Sequence, residues 1–492
     1  MTHDLTIINM FVLYIGLMMA VGVYYYRRTR NMSDYFLGNR KLGAWVTSMS
    51  AEASDMSGWM LMGVPGMAYL SGLNAGWIAV GICLGTWANW RFIAARLRKY
   101  TELAQNALTL PEFLQNRFED KSGILRIVPA IFILIFFIIY TSSGFVSAGR
   151  LFETVFGIPY EFAIFIGAGS VVFYTLIGGF LAVSRTDFIQ GVMMFFAILV
   201  VPITAAMEMG GFGHVVTELE SVQASMLQPL TKPDGTTMGA IELISLLAWG
   251  IGYFGQPHIL VRFMAVRSSK EITQATRIAM SWVIISMIAA VAVGMVGRVY
   301  LDTPLEGTAS ETVFLVLTNT LFPSAAAGLI LSAVLAAIMS TASSQLLVAA
   351  SAFAQDFYRT LLRKNADQTE LVWISRASVL IIAALAIFIG MNPNSFILDM
   401  VSYAWAGFGA AFGPAILMSL FWKRTTRNGV VAGIITGGVT VLVWKQFAWF
   451  GLYEIVPGFT FGLLAIAIVS LLDKEPSKSI QQTFDAVGKS EI

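Results

Sequence analysis

Apolar residues run along this chain in blocks of about 20, separated by short polar or glycine-rich stretches. A helix of about 20 apolar residues crosses the hydrocarbon core of a bilayer. Such blocks fall near 6–26, 42–72, 75–96, 125–149, 159–182, 187–206, 238–257, 276–300, 324–354, 371–391, 396–421, 429–447 and 456–472, which predicts thirteen spanning helices. Helices are required because an open sheet cannot satisfy its backbone in lipid. The alternation of a β-barrel, with strands of about ten residues, is not seen. The expected class is an all-α polytopic membrane protein. The stretches 207–237 and 302–321 are long enough to hold short helices, and the polar tail from Asp473 is expected to be mobile.

Two blocks are broken where a spanning helix should be continuous. The second contains ASDMSGW at 53–59, and the seventh contains WGIGY at 249–253, with Gly255 and Pro257 just beyond. Glycine disfavours helix by about 1 kcal/mol relative to alanine, and a break frees backbone groups that hydrocarbon cannot solvate. Either glycine alone is explained by close helix packing. Two breaks in spans of opposite direction point instead to an inverted-repeat transporter. The repeats would be 42–206 and 238–421, with an extra first helix and loop at 6–41, two last helices at 429–472 and a tail at 473–492.

Composition agrees. The chain is 57% apolar and 12% charged, with a mean hydropathy of +0.73, against about 25% charged in soluble domains. A net charge of +2 gives no reason to expect nucleic acid as a partner; lipid is the expected surrounding, and protein partners are left open. The single cysteine, Cys83, excludes an intramolecular disulfide framework. The start MTHDLTIIN has no basic n-region, so no cleaved signal is expected. Lysine and arginine collect in RRTRN after the first span, RLRK at 96–99, 262–277, 363–364, 423–427 and the tail. If these are cytoplasmic, only Arg150, Lys232, Arg298 and Lys445 of the 31 basic residues lie near the outer side. The N-terminus is then outside and the C-terminus inside. GIGYFG at 250–255 fits a dinucleotide pattern, but it follows no strand and lies in an apolar span. GKS at 488–490 lacks the first glycine of a phosphate loop, with Thr483 in its place. His3, His214 and His258 are scattered, and no enzyme chemistry is expected.

The segments ASDMSGWMLMGVPG (53–66), NALTLPEF (106–113), FYTLIGGFLAVSRTD (173–187), WGIGYFGQPHILVRFM (249–264), LSAVLAAIMSTASSQLLV (331–348) and SYAWAGFGAAFGP (402–414) resemble the solute:sodium symporters over roughly 10–475. ASDMSGW and WGIGYFGQPHI resemble the branch of that family that carries proline. The resemblance implies a LeuT-type 5+5 inverted repeat with one extra N-terminal and two extra C-terminal helices. It also implies sodium-coupled uptake of L-proline through a bacterial inner membrane, with Na+ as coupling ion and no organic cofactor.

Residue roles follow from that resemblance. Ala337, Ser340 and Thr341 share one helix face at i, i+3 and i+4. With carbonyls freed at Ala53 and Met56 they would supply five oxygens to sodium; the other reading is hydroxyl back-bonding within the helix. Asp55 is the acid on which sodium coupling would depend, as an attractor or a ligand, or else a partner for free amides at the break. Amides around Ser54, Ser57 and Gly58 suit a substrate carboxylate. Tyr140, Trp249 and Tyr253 would wall the pyrrolidine ring, with Pro257 shaping the lower half of the seventh span. Packing is the alternative for these aromatics. Arg40 and Asp187, placed at cytoplasmic span ends, are either parts of an inner gate or anchors. The role of Glu52 is open. Two further functions remain open: symport of another solute (pantothenate, another amino acid or a sugar), and a transporter-like membrane sensor. The short tail weighs against the sensor.

Overall fold

The computed structural model describes residues 5–26 and 37–489, and no strand occurs among them. The basic stretch RRTRN, His3 and Ser490 lie outside the described residues. Eleven helices among the described residues are long and apolar enough to cross a membrane. Leu5–Tyr26, Ile124–Phe156, Ile272–Tyr300, Ser324–Ser351, Gln368–Gly390, Ile397–Phe421, Arg427–Phe447 and Ile455–Leu472 follow expected blocks closely. Their outer faces carry Leu13, Ile288, Leu380 and Phe388, all exposed, which is the surface that lipid covers.

Thirteen spans are reached only by counting the two broken ones. The second consists of Ala44–Asp55, then Met56 in a non-helical conformation (φ −83°, ψ 88°), then Trp59–Gly63 and Val64–Ser71. Its second half turns through Gly72–Ala75 into Gly76–Ala88, so Trp59–Leu103 is one long helical run. At this turn Gly72 has φ +64°, and a Cβ would stand 2.3 Å from the Met226 carbonyl oxygen, so only glycine fits. The seventh span consists of Ala240–Leu247, a tight 3-10 segment Ala248–Gly255, extended Gln256 and then Pro257–Ala265. Proline suits that restart because its missing N–H has no helical partner at the first position anyway.

Three expectations are corrected. The seventh span does not end at 257 but runs to Ala265, and its last turns bury Arg262 completely. The sequence marked that arginine as loop because its internal partner is distant in the chain. The fifth and sixth spans are separate as expected, Tyr160–Ile177 and Ala182–Glu208, with non-helical backbone at Gly179 (φ 68°, ψ 176°) between them. The sixth span begins at Ala182, so Asp187 lies more than one turn inside it rather than at its end. The tail contains a helix, Lys478–Lys489, with Ile480, Phe484 and Val487 along one face. Phe484 sits between the guanidinium groups of Arg96 and Arg117, and Lys423 pairs with Asp485 at 2.6 Å. An apolar stripe at i, i+4 and i+7 is enough to dock a helix whose average composition is polar. The segment 207–237 forms Phe212–Gln223 and Ala224–Leu227, and 302–321 forms Gly307–Thr312 and Val313–Leu321.

Ala44–Asp55 lies at the centre, against Tyr160–Glu208, Pro257–Ala265, Ile272–Tyr300 and Ser324–Ser351. The third span crosses the unwound seventh so closely that a Cβ on Gly85 would stand 2.1 Å from the Gly250 carbonyl oxygen.

Candidate functional site

The helix Ala44–Asp55 stops because Met56 turns away after its N–H bonds the Glu52 carbonyl at 2.8 Å. Ser57, whose N–H would have bonded the Ala53 carbonyl, is outside the helix. The freed Ala53 carbonyl is met from the ninth span. Ser340 Oγ donates to it at 2.6 Å, and Thr341 Oγ1 donates at 3.2 Å. Ser340 Oγ also lies 3.0 Å from the Ala337 carbonyl oxygen. Four oxygens from two spans thus gather at one buried point. Back-bonding alone does not describe these hydroxyls, since both reach across to the second span.

Asp55 is fully buried and turns elsewhere. Its Oδ2 accepts from the Tyr253 hydroxyl at 2.7 Å, and its Oδ1 has no hydrogen bond. Its backbone carbonyl accepts from Trp59 Nε1 at 2.9 Å and from the Tyr140 hydroxyl at 3.4 Å. The carboxylate therefore joins the two broken spans to each other and neighbours the oxygen cluster through the backbone.

Trp249 stands in an aromatic group. Its ring lies 6.1 Å from Trp59, 6.2 Å from Trp405 and 5.9 Å from Tyr453. Trp405 Nε1 donates to the Trp249 carbonyl at 2.8 Å, and the Trp405 ring meets Tyr253 edge-on at 4.9 Å. The other expected residues are placed less distinctively. Ser54 Oγ bonds back to the Ala51 carbonyl at 2.9 Å, and Ser57 Oγ accepts from the Trp59 amide at 3.4 Å. Gly58 packs on Ser147, whose Oγ would lie 2.4 Å from a Cβ there. Pro257 opens the lower half-helix, next to His258, whose ring lies edge-on to Tyr140. Trp405 and Tyr453 were missed. The only signal for Trp405 was its place in SYAWAGFGAAFGP, and nothing in the sequence pointed to Tyr453.

One turn from the cluster, toward the end of the bundle that carries residues 96–123, lies a buried polar group. Arg262 bonds Asp187 Oδ2 at 3.3 Å, Ser50 Oγ at 3.2 Å and the His258 carbonyl at 2.7 Å, and it also reaches Ser344 Oγ. Ser50 donates to Asp187 Oδ2 at 2.7 Å. Four spans meet here. Arg40 does not pair with Asp187. It bonds the carbonyls of Met264 (2.7 Å) and Ala107 (2.8 Å) and the Thr101 hydroxyl (3.2 Å).

Interrupted helices facing each other at depth, with oxygens and a carboxylate at the break, define a membrane-embedded secondary transporter of LeuT-type architecture. The chain belongs to the sodium:solute symporter family, whose model matches residues 35–437. It is 51% identical to the sodium/proline symporter of Escherichia coli (strain K12), an alignment covering 96% of this chain and 94% of that one. It is 48% identical to the high-affinity proline transporter of Bacillus subtilis (strain 168), covering 95% of this chain and 98% of the other. In fold it is similar to a Na+-coupled sialic acid symporter solved in a substrate-bound outward-open state, with a TM-score of 0.78 at 21% identity, covering 96% and 99% of the two chains. It is a multi-pass membrane transporter and not an enzyme.

Proposed function

We propose that this protein carries L-proline with sodium into a bacterial cell by alternating access. One observation carries the reading: the Ser340 and Thr341 hydroxyls meet the freed Ala53 carbonyl beside Asp55, at the contact of the two broken spans. Oxygens of this kind replace the hydration shell of a monovalent cation. Ala53, Met56, Ala337, Ser340 and Thr341 hold sodium, and Asp55 attracts it through the field of its carboxylate. Proline lies against Trp249, Tyr253 and Tyr140, with its carboxylate toward the amides of Ser54, Ser57 and Gly58. Half-identical relatives named for proline support that choice of solute.

The repeats are 42–206 and 238–421, and the Arg262–Asp187 group with Arg40 closes the inner side. A cavity lined by Thr109, Pro257, Val261, Leu347 and Asp356 would serve as part of the route of release. The distribution of basic residues supports an N-terminus outside and a C-terminus in the cytoplasm. One charge crossing about 100 mV supplies about 2.3 kcal/mol, and a tenfold sodium gradient about 1.4 kcal/mol more. Together they sustain a roughly 500-fold proline gradient. The test is uptake of labelled L-proline by purified protein in liposomes, with and without an inward sodium gradient, against a panel of competing solutes. Sodium-stimulated uptake blocked by unlabelled proline is expected. Uptake that ignores sodium, or that another solute blocks better, overturns the reading.

A further inference from the structure

We propose that a groove between the second, sixth and eighth spans, at the end of the bundle that carries residues 96–123, holds one anionic phospholipid, with its headgroup on Arg277 and an acyl chain along the groove. The groove measures about 360 Å3, within the range of built small-molecule sites. Met49 and Trp282, both buried, form its floor. Gly191 lets them settle there: Trp282 Nε1 donates to the Gly191 carbonyl at 3.1 Å, and a Cβ on Gly191 would stand 2.8 Å from Met49 Cε. Trp45, Val192, Phe196 and Ile285 form exposed apolar walls. Arg277 and Ser281 are the polar residues of the lining, and no acid belongs to it.

Depth and charge select the occupant. Ile272–Tyr300 has 29 residues, about 44 Å of helix against a hydrocarbon core of about 30 Å. About 7 Å at each end therefore stands among headgroups. Arg277 lies about 7.5 Å from the start of the helix, where headgroups meet acyl chains. That start is at the 96–123 end, since Arg98 Nε bonds the Val266 carbonyl at 2.7 Å. Arg277 is exposed and in no ion pair among the described residues. Glu271, the acid nearest to it in the chain, is taken: it pairs with Arg267 and accepts from the Ala44 amide at 2.7 Å. Lys270 is also exposed and adds a second positive charge at this end, with no ion pair among the described residues.

A guanidinium at this depth without a carboxylate draws a phosphate, and the aromatic and branched side chains beside it take the acyl chain. Apolar walls alone would accept any lipid. A zwitterionic headgroup brings an ammonium that Arg277 and Lys270 repel, and an anionic one does not. The occupant lies against Ala44–Asp55, the half-helix that ends at the candidate site.

The test needs neither proline nor sodium, so its outcome is independent of which solute is carried. Purified, delipidated protein in detergent is titrated with dioleoylphosphatidylglycerol or dioleoylphosphatidylcholine, and the lipids held are counted by native mass spectrometry. Wild type should retain one phosphatidylglycerol per chain in preference to phosphatidylcholine. Arg277→Gln removes the charge and should lower that retention about fivefold. Ser281→Trp fills the groove, keeps the charge and should lower retention as well. Arg277→Lys keeps the charge and should hold the lipid, which separates lost charge from a damaged fold. Equal retention of the two lipids by wild type overturns the proposal, as does unchanged retention in Arg277→Gln or a loss as large in Arg277→Lys. A loss in Arg277→Gln with none in Ser281→Trp overturns it too, because charge without the groove would then hold the lipid.

Discussion

Ser340 and Thr341 show how a hydroxyl on one helix finds a partner on another when the backbone opposite it is left unpaired. Alanine at either position removes one oxygen and leaves the helix intact. A hydrogen bond to a charged group contributes about 1.5–3 kcal/mol, so sodium affinity should fall about tenfold or more. Proline affinity at low sodium should fall with it by linkage and return at saturating sodium. Proline binding titrated across sodium concentrations checks this, and a deficit that saturating sodium does not repair would move the hydroxyls to the substrate. Tyr253→Phe is a second probe at this scale. It removes the one hydrogen bond of the Asp55 carboxylate, and uptake at fixed sodium should fall about tenfold. Unchanged uptake would make that bond incidental. That Ser340 and Thr341 share a face was legible from helix spacing, and their nearness to the break in the second span was implied by the family likeness. Which way the Asp55 carboxylate turns was not, because its partner is 198 residues away.

Breaks in helices were readable as elements, since glycine, serine and proline mark them in both spans. What followed each break was not. Arg262 reads as a loop charge until Asp187 and Ser50 are folded against it, and Gly179 reads as any glycine until its φ of 68° joins two spans. The crossing of the third and seventh spans depends on bare backbone at Gly85 and Gly250. Gly85→Val should force these elements apart. Overpacking of this kind costs about 1–3 kcal/mol, so the melting temperature of the purified protein should drop and proline binding should be lost with it. Gly76→Ala in the same helix meets no neighbouring atom and should melt like wild type.

Across the whole molecule, one ion pair ties distant parts of the end opposite the 96–123 face. Arg150 pairs with Glu311, whose two oxygens also accept from the Ile397 and Leu398 amides at 2.8 and 3.0 Å. Arg150 in turn bonds the Ser395 carbonyl at 2.6 Å. Glu311→Ala leaves a buried arginine uncompensated, a loss of about 3–5 kcal/mol, and should lower the midpoint of thermal unfolding far more than Glu306→Ala, which lies in the same segment but is exposed. The overall architecture was legible because bilayer thickness dictates block length. The docked tail was not, since Phe484 finds Arg96 and Arg117 only in three dimensions. The aromatic group around Trp249 has a further use. Trp59, Trp249 and Trp405, three of the chain's 12 tryptophans, form a chain of indoles with neighbouring rings 6.1 and 6.2 Å apart. Indoles so close exchange excitation and share one local polarity. A solute entering among them should change the brightness and colour of the protein's own ultraviolet emission, so occupancy would be visible in an unlabelled sample. Trp249→Phe should silence that optical signal even at solute concentrations high enough to fill the site.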